Sequence, residues 1–243
     1  MSMIKTENLT KVYVNWSFLK KRTLIALDNV NIEIPEKQVF GFLGLNGAGK
    51  TSLMKILLGL SCPTSGKAWV LDKPAGNVGA RQKIGYLPEL PYFPRQMTPA
   101  EILDYYGGLF EMPDAVRHGK TEEVLRQVGL FEQRFRRLRE FSKGMLQRVG
   151  FAQLLLNDPE LLLIDEPTYG LDPLACKELR DVIFGLKDAG KTIFLNSHQI
   201  SEVEKICDYI GILHAGRVLY TGPIQRPLEQ FFVDTIRSAG GMP

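Results

Sequence analysis

Apolar and polar residues alternate over 25–34 (IALDNVNIEI), the period of a strand with one buried face, and Pro35 stops the run. Residues 39–43 (VFGFL) are apolar almost throughout, as in a strand covered on both faces. That run passes directly into GLNGAGKT, and a helix is predicted over 52–60. Short apolar runs predict further strands at 68–71 and 83–87. The period then lengthens. Thr98-Pro99-Ala100-Glu101 combines a capping box with proline at the first helical position, so a helix should cover 98–110. Two more helices are predicted over 121–128 and 143–156. Asn157-Asp158-Pro159 ends this block. A buried strand at 161–164 (LLLI) follows and runs out into Asp165-Glu166-Pro167. Beyond it the pattern gives a helix from Pro173, a strand at 192–196, and a short helix with the capping pattern Ser201-x-x-Glu204. Strands near 209–213 and 218–220 and a helix at 228–236 complete the chain. Gly240-Gly241-Met242-Pro243 should fray.

This order describes an α/β domain with a helical insertion at about 90–158 between two strands of the core. The 243 residues suit one large domain. A composition of 44% hydrophobic and 23% charged residues supplies a sizeable core and argues against disorder. A net charge of +3 is too small to indicate nucleic acid. Cys62, Cys176 and Cys207 are scattered and odd in number, so inert thiols in a reducing compartment are expected. No segment reaches the ~18–20 apolar residues of a membrane span, and MSMIKTENLTKVY has no apolar signal core. A cytoplasmic chain is expected, one that serves a membrane process only by docking on another protein.

The chemistry is concentrated in a few motifs. GLNGAGKT, Gly44 to Thr51, meets every fixed position of G-x-x-x-x-G-K-[ST]. Gly44, Gly47 and Gly49 let the backbone wrap closely enough to aim N–H groups at phosphate oxygens. The helix that starts near Lys50 adds the positive end of its dipole. Lys50 brings a cation to the β- and γ-phosphates, and the Thr51 hydroxyl is the expected Mg²⁺ ligand. Leu45, Asn46, Ala48 and Ser52 complete the loop. The strand 161–164 delivers Asp165 to its carboxyl end, where ligands sit in open α/β sheets. Asp165 should hold Mg²⁺ through water. Glu166 follows, and Pro167 should bias it toward an extended backbone, suited to polarise an attacking water.

With FSKGMLQR (Phe141–Arg148) between these two motifs, the chain resembles the ATP-binding cassette family from Tyr13 to about Gly222. The resemblance implies a P-loop NTPase core, an antiparallel β subdomain and an inserted helical subdomain. The core would take about 1–89 and 159–222, the helical part about 90–158, and a C-terminal tail about 223–243. It implies an ATPase that uses ATP and Mg²⁺. FSKGM stands where the family signature LSGGQ belongs, so Ser142, Lys143, Gly144 and Met145 would meet the γ-phosphate held by a second copy. Asp172, in GLDP, matches the D-loop, and His198, in Asn196-Ser197-His198, the switch histidine. Tyr13 matches the aromatic that stacks on adenine. It could also be a plain edge-strand residue, with Trp16 or Phe18 in its role. Glu89, in IGYLPE, takes the place of the glutamine that links Mg²⁺ to the transmembrane partner.

Several positions depart from the family pattern. Lys143 replaces a signature glycine and Met145 a glutamine. Leu45 replaces a common proline, and Tyr169 the small residue before the D-loop.

The resemblance also implies a homodimer, or a pair with a second ABC ATPase, acting on separate transmembrane permease subunits and not on nucleic acid. The chain would lie on the cytoplasmic face of the membrane, bound through the permease. Motif style (IGYLPE, FSKGMLQR, EPTYGLDP) leans toward export. A ribosome- or DNA-acting ATPase fits less well, because this chain has one cassette and a short insertion. A regulator without turnover would need Glu166 or His198 broken. The basic run Arg134, Arg136, Arg137 and Arg139 reads first as a solvated face and second as a contact for the partner or for lipid headgroups.

Overall fold

A computed structural model describes residues 2–17 and 20–240, and at 15–17, 20 and 21 it describes the backbone. Phe18 and the expected frayed end at 241–243 lie outside the described residues. The chain forms two compact units, Met1–Arg81 with Thr192–Pro243, and Gln82–Lys191.

In the first unit β1 (Ser2–Ser17) and β2 (Lys20–Pro35) make a long antiparallel hairpin. Bulges at Thr6/Leu9, Leu9/Lys11 and Lys11/Val12 re-aim its side chains. Leu9, Leu27 and Val30 are therefore buried, while Tyr13, Val14, Leu24 and Ile25 stand exposed toward the tip. The observed β2 thus extends beyond the predicted strand at both ends. The strand β3 (Val39–Leu43) is fully buried, as its unbroken apolar run requires. After α1 (Lys50–Leu57), the strands β4 (Ser65–Val70) and β5 (Lys73–Pro74) complete an antiparallel sheet of order β2-β1-β4-β5. A single-turn helix, α2 (Val78–Arg81), closes this segment.

Helix α1 ends short of the predicted Leu60. Gly59 adopts φ +70, and its N–H and that of Leu60 turn back to the carbonyls of Ile56 and Lys55. This is the left-handed glycine stop that a side chain would oppose.

The second unit, 82–191, holds two parallel strands, β6 (Ile84–Leu87) and β7 (Leu161–Asp165), with Leu87 opposite Ile164. Its helices are α3 (Pro99–Leu109), α4 (Asp114–Gln127), α5 (Lys143–Leu155) and α6 (Pro173–Asp188). The predicted capping box forms: Thr98 Oγ1 accepts from the Glu101 N–H at 3.2 Å, and Glu101 Oε2 from the Thr98 N–H at 2.8 Å. Helix α4 begins seven residues before the predicted start at Thr121. Its first half lacks an apolar stripe and is held by charge instead, Arg117 reaching Asp104 at 2.6 Å and Asp114 at 3.0 Å.

The remaining strands belong to the first unit. They are β8 (Thr192–Ser197) and β9 (Tyr209–His214), both parallel to β3, and β10 (Arg217–Pro223), antiparallel to β9. Phe40 and Phe194 stack at 5.9 Å across β3 and β8. Helix α7 (Ile200–Ile206) lies so close to β3 that a Cβ on Gly41 would be 2.7 Å from Val203. Helix α8 (Leu228–Ser238) ends the described chain.

The capping pattern Ser201-x-x-Glu204 is not used at α7. The Ser197 hydroxyl takes the Gln199 N–H and the helix starts at Ile200, which places Ser201 inside it. Glu204 instead accepts the Leu228 N–H at 3.0 Å and so caps α8. Among the described residues no helix is long and apolar enough to cross a membrane.

Gly85 shows how tightly the second unit packs. A Cβ there would be 2.7 Å from the Leu154 carbonyl oxygen of α5 and 3.0 Å from Pro159. Gly85→Ala should therefore destabilise the protein by about 1–3 kcal/mol, the usual cost of overpacking. Urea unfolding checks this, and an unchanged midpoint would mean that α5 is not seated on β6.

Candidate functional site

Strand β3 feeds directly into the loop 44–49, and tertiary packing fixes the loop's shape. Gly49 sits at φ +115, and a Cβ on it would lie 2.1 Å from the Ala26 carbonyl oxygen. A Cβ on Gly44 would be 2.6 Å from the Leu213 carbonyl oxygen. Gly47, at φ +80, has open space around it and needs glycine for its backbone angle alone. The Ala48 N–H closes the loop onto Leu45 O, and the Gly216 N–H donates to Ala48 O.

Helix α1 then begins with no side-chain cap and no acidic residue in its first turn. A helix start without a side-chain cap or an acidic residue is the usual makeup of an anion site. Lys50 is buried and donates to Gly44 O at 2.6 Å, so its ammonium lies on the loop itself. Thr51 and Ser52 follow on the first turn. The Tyr13 hydroxyl reaches Ser52 Oγ at 3.4 Å, and the Lys11 ammonium lies 4.9 Å from the centre of the Tyr13 ring. Tyr13 is thus both exposed and tied to the first turn of α1. Trp16 pairs with Lys21 through its backbone, near the hairpin tip. Asn196 on β8 is fully buried, with Nδ2 3.5 Å from the Lys50 carbonyl. His198 follows immediately, between β8 and α7.

In the second unit Asp165 and Glu166 stand buried at the carboxyl end of β7. Glu89 leaves β6 at the same edge and is exposed. Burial, and secondarily the Asp165 carboxylate, push the Tyr86 hydroxyl above its ordinary pKa, which keeps it protonated. Glu166 does not take the extended backbone expected before Pro167. Its φ is +46, and its carbonyl accepts the Tyr169 N–H at 3.1 Å. The tight turn over 166–169 overrides the proline's local preference, and such a backbone costs about 1–3 kcal/mol in a non-glycine residue.

Ser142 caps α5, its hydroxyl accepting the Met145 N–H at 3.2 Å. Asp172 caps α6, accepting from Leu174 and Ala175 at 3.0 and 2.9 Å, with Pro173 in the first helical position. Gly144 is buried, and a Cβ there would be 2.8 Å from Ala175. The basic run is largely engaged at home. Arg134 lies over Phe131, Arg136 pairs with Glu140, and Arg137 with Glu101.

The family model for ABC transporters matches residues 27–169, which include the loop 44–49, Asp165 and Glu166. An uncharacterised ABC transporter ATP-binding protein of Nostoc sp. is 45% identical over 93% of this chain and 68% of its own length. This chain belongs to the ABC transporter family, as an ATP-binding protein.

The lantibiotic transport ATP-binding protein SrtF of Streptococcus pyogenes is 37% identical over 96% of this chain and 97% of its own length. A Nod factor export ATP-binding protein of Cupriavidus metallidurans is 34% identical over 82% and 66%. Among solved structures, a dimeric post-hydrolysis state of the ATP-binding cassette MJ0796 bound to ADP and Pi superposes with a TM-score of 0.80 at 25% identity. The match covers 92% of this chain and 99% of that one. The chain is accordingly an ABC-type ATPase. The ABC ATPase fold expected from the motif order is the one observed.

Motif reading misses three features of this ABC ATPase. Tyr86 next to Asp165, the Asn196 contact behind Lys50, and the partner of Lys143 carry no motif of their own. Only the strand pairing and helix packing bring them in. Asp172→Ala should cost about 0.5–2 kcal/mol, the value of a lost N-cap, and Asp172→Asn should recover most of it. Urea unfolding of the two variants separates this capping role from any role in turnover.

Proposed function

We propose that this ABC ATPase binds ATP with Mg²⁺ between two copies, or between itself and a second ABC ATPase, and so drives separate transmembrane permease subunits. One observation carries the reading. Helix α1 opens without a cap or an acidic residue, inside a glycine loop that admits no side chain at Gly44 or Gly49, with Lys50 folded onto it. A polyanion of the triphosphate kind is what such a helix start takes. Gly44, Leu45, Asn46, Gly47, Ala48, Gly49, Lys50, Thr51 and Ser52 would hold the phosphates, and Tyr13 the base.

Thr51, Asp165 and Glu89 are the candidate ligands of Mg²⁺, all hard oxygen donors. Among the described residues no group of three or more His, Cys, Asp or Glu could hold a metal by itself. That suits an ion bound largely by phosphate oxygens and water. When bound, Mg²⁺ supplies charge neutralisation on the phosphates.

Glu166 is assigned as general base. Its buried carboxylate on a strained turn is a fixed acceptor for the proton of an attacking water. His198 would contact the γ-phosphate. Ser142, Lys143, Gly144 and Met145 would present the capped N-terminus of α5 to the nucleotide of the other copy, and Asp172 would face the same interface. Transport outward is the direction we assign, since one relative is named for Nod factor export and another for lantibiotic transport. The chain would then work at the cytoplasmic face of the membrane, held there by the permease.

Glu166→Gln should keep ATP binding, accumulate an ATP-bound dimer and slow steady-state hydrolysis by about 10²–10⁴-fold, the range of general-base catalysis. A colorimetric phosphate assay that finds wild-type turnover would remove Glu166 from that role. Lys50→Ala should weaken ATP binding by about 1.5–3 kcal/mol, the worth of a hydrogen bond to a charged group. Calorimetric titration measures it, and an equal affinity would place the nucleotide elsewhere.

A further inference from the structure

Two departures from the family pattern meet each other in the second unit. Lys143, at the first position of α5, stands where the signature has glycine. Tyr169, in the turn before α6, stands where a small residue is usual. The Lys143 ammonium donates to the Tyr169 main-chain carbonyl, and it also lies 4.9 Å from the centre of the Tyr169 ring. Gly170 beside them, at φ +67, leaves the space that Lys143 enters: a Cβ there would be 2.5 Å from Nζ.

The contact continues down the two helices. Gly144 seats the first turn of α5 against Ala175 in the first turn of α6. One turn further, Arg148 and Glu178 approach at 3.4 Å. The same Tyr169 peptide faces the other way as well, its N–H closing the turn onto the carbonyl of Glu166. A continuous chain of contacts therefore runs from the Ser142 cap through Lys143 and Tyr169 to the strained backbone of Glu166.

The position is locally unfavourable for lysine. A cation in the first turn of a helix opposes the positive end of the dipole. Its ammonium finds a carbonyl and a ring face that offset this, and both come from one residue. A local rule broken in favour of one specific tertiary contact points to use of that contact.

We propose that Lys143 is a positioning residue: through Tyr169 it clasps the signature turn, 142–145, to the turn that aims Glu166, so that the two move as one body. The proposal rests on the reading above in which Ser142 meets the nucleotide of a second copy. When that contact forms, the clasp holds the Glu166 carboxylate in its hydrolytic orientation. Glycine at 143 has no side chain to span the gap.

The test is steady-state ATPase kinetics of the purified chain with Mg²⁺ and ATP. Lys143→Met should lower kcat by about ten- to a hundredfold, the loss expected when a reacting group is misplaced by about 1 Å. Lys143→Arg should restore most of kcat, because it keeps a cation for the carbonyl and the ring. Tyr169→Ala should lower kcat less than Lys143→Met, since the carbonyl remains. The double variant should be no slower than Lys143→Met alone, as for groups that act as one unit.

A kcat for Lys143→Met within about twofold of wild type overturns the clasp, as do single effects that multiply in the double variant. Lys143 is exposed, so folding should survive its substitution. Should it not, Tyr169→Ala carries the same comparison. Ser142→Arg in the Glu166→Gln background tests the underlying reading by light scattering. Loss of the ATP-driven dimer there, with normal turnover in Lys143→Met, refutes the clasp alone. A normal dimer there refutes the shared site itself.

Discussion

The arrangement at the phosphate loop depends on one steric constraint: main chain packs against main chain with no room for a Cβ. The loop after β3 lies on the carbonyls of Ala26 and Leu213, and only glycine at 49 and 44 permits that approach. The close approach makes the chain leading into α1 part of a wall of main chain, built from residues 44–49 and the carbonyls they lie on. Helix α1 starts there with no side-chain cap and no acidic residue in its first turn. Lys50 returns to the carbonyl of Gly44, so the cation is part of the wall and does not project into solvent. The buried β3, with Phe40 and Phe42 against Phe194, is what holds this wall still.

The second unit solves a different problem. It must end a buried strand with two carboxylates and then start a helix at once. The left-handed turn at Glu166 and the Asp172 cap on α6 do this within seven residues of Asp165. Strain at Glu166 persists because the Tyr169 N–H and the buried strand behind it over-determine the turn. Helices α5 and α6 start side by side, each with its own capping oxygen, and the Gly144 and Ala175 contact fixes their spacing.

Much of the fold was readable in the chain because several signals agreed at each element. The run 39–43 was apolar throughout and ended in glycine, so its burial and its boundary were both correct. Thr98 and Glu101 announced α3 because a capping box is a local interaction between residues three apart. Local signals failed where a distant group competed. Ser201 and Glu204 look like a cap, but Ser197 began the turn earlier and Glu204 served α8. The first half of α4 was invisible because ion pairs from Arg117, not apolar period, hold it. Pro167 argued for an extended Glu166, and a hydrogen bond from Tyr169 reversed that.

The residues alone determined the family and most of the order of strands and helices, though not β1, β5 or α2, and they marked the loop, the Asp165-Glu166 pair and the Ser142 motif as candidates. Each of these is a spacing along the chain, set by helix and strand periods or by the reach of a few peptide units. Tertiary structure decided which backbone each motif adopts and which side chains far apart in sequence stand together. It put Asn196 behind Lys50, Tyr86 beside Asp165 and Lys143 on Tyr169. The reason is that strand register and helix-on-helix packing are set by the whole core, and a residue's immediate neighbours in the sequence carry almost no record of them.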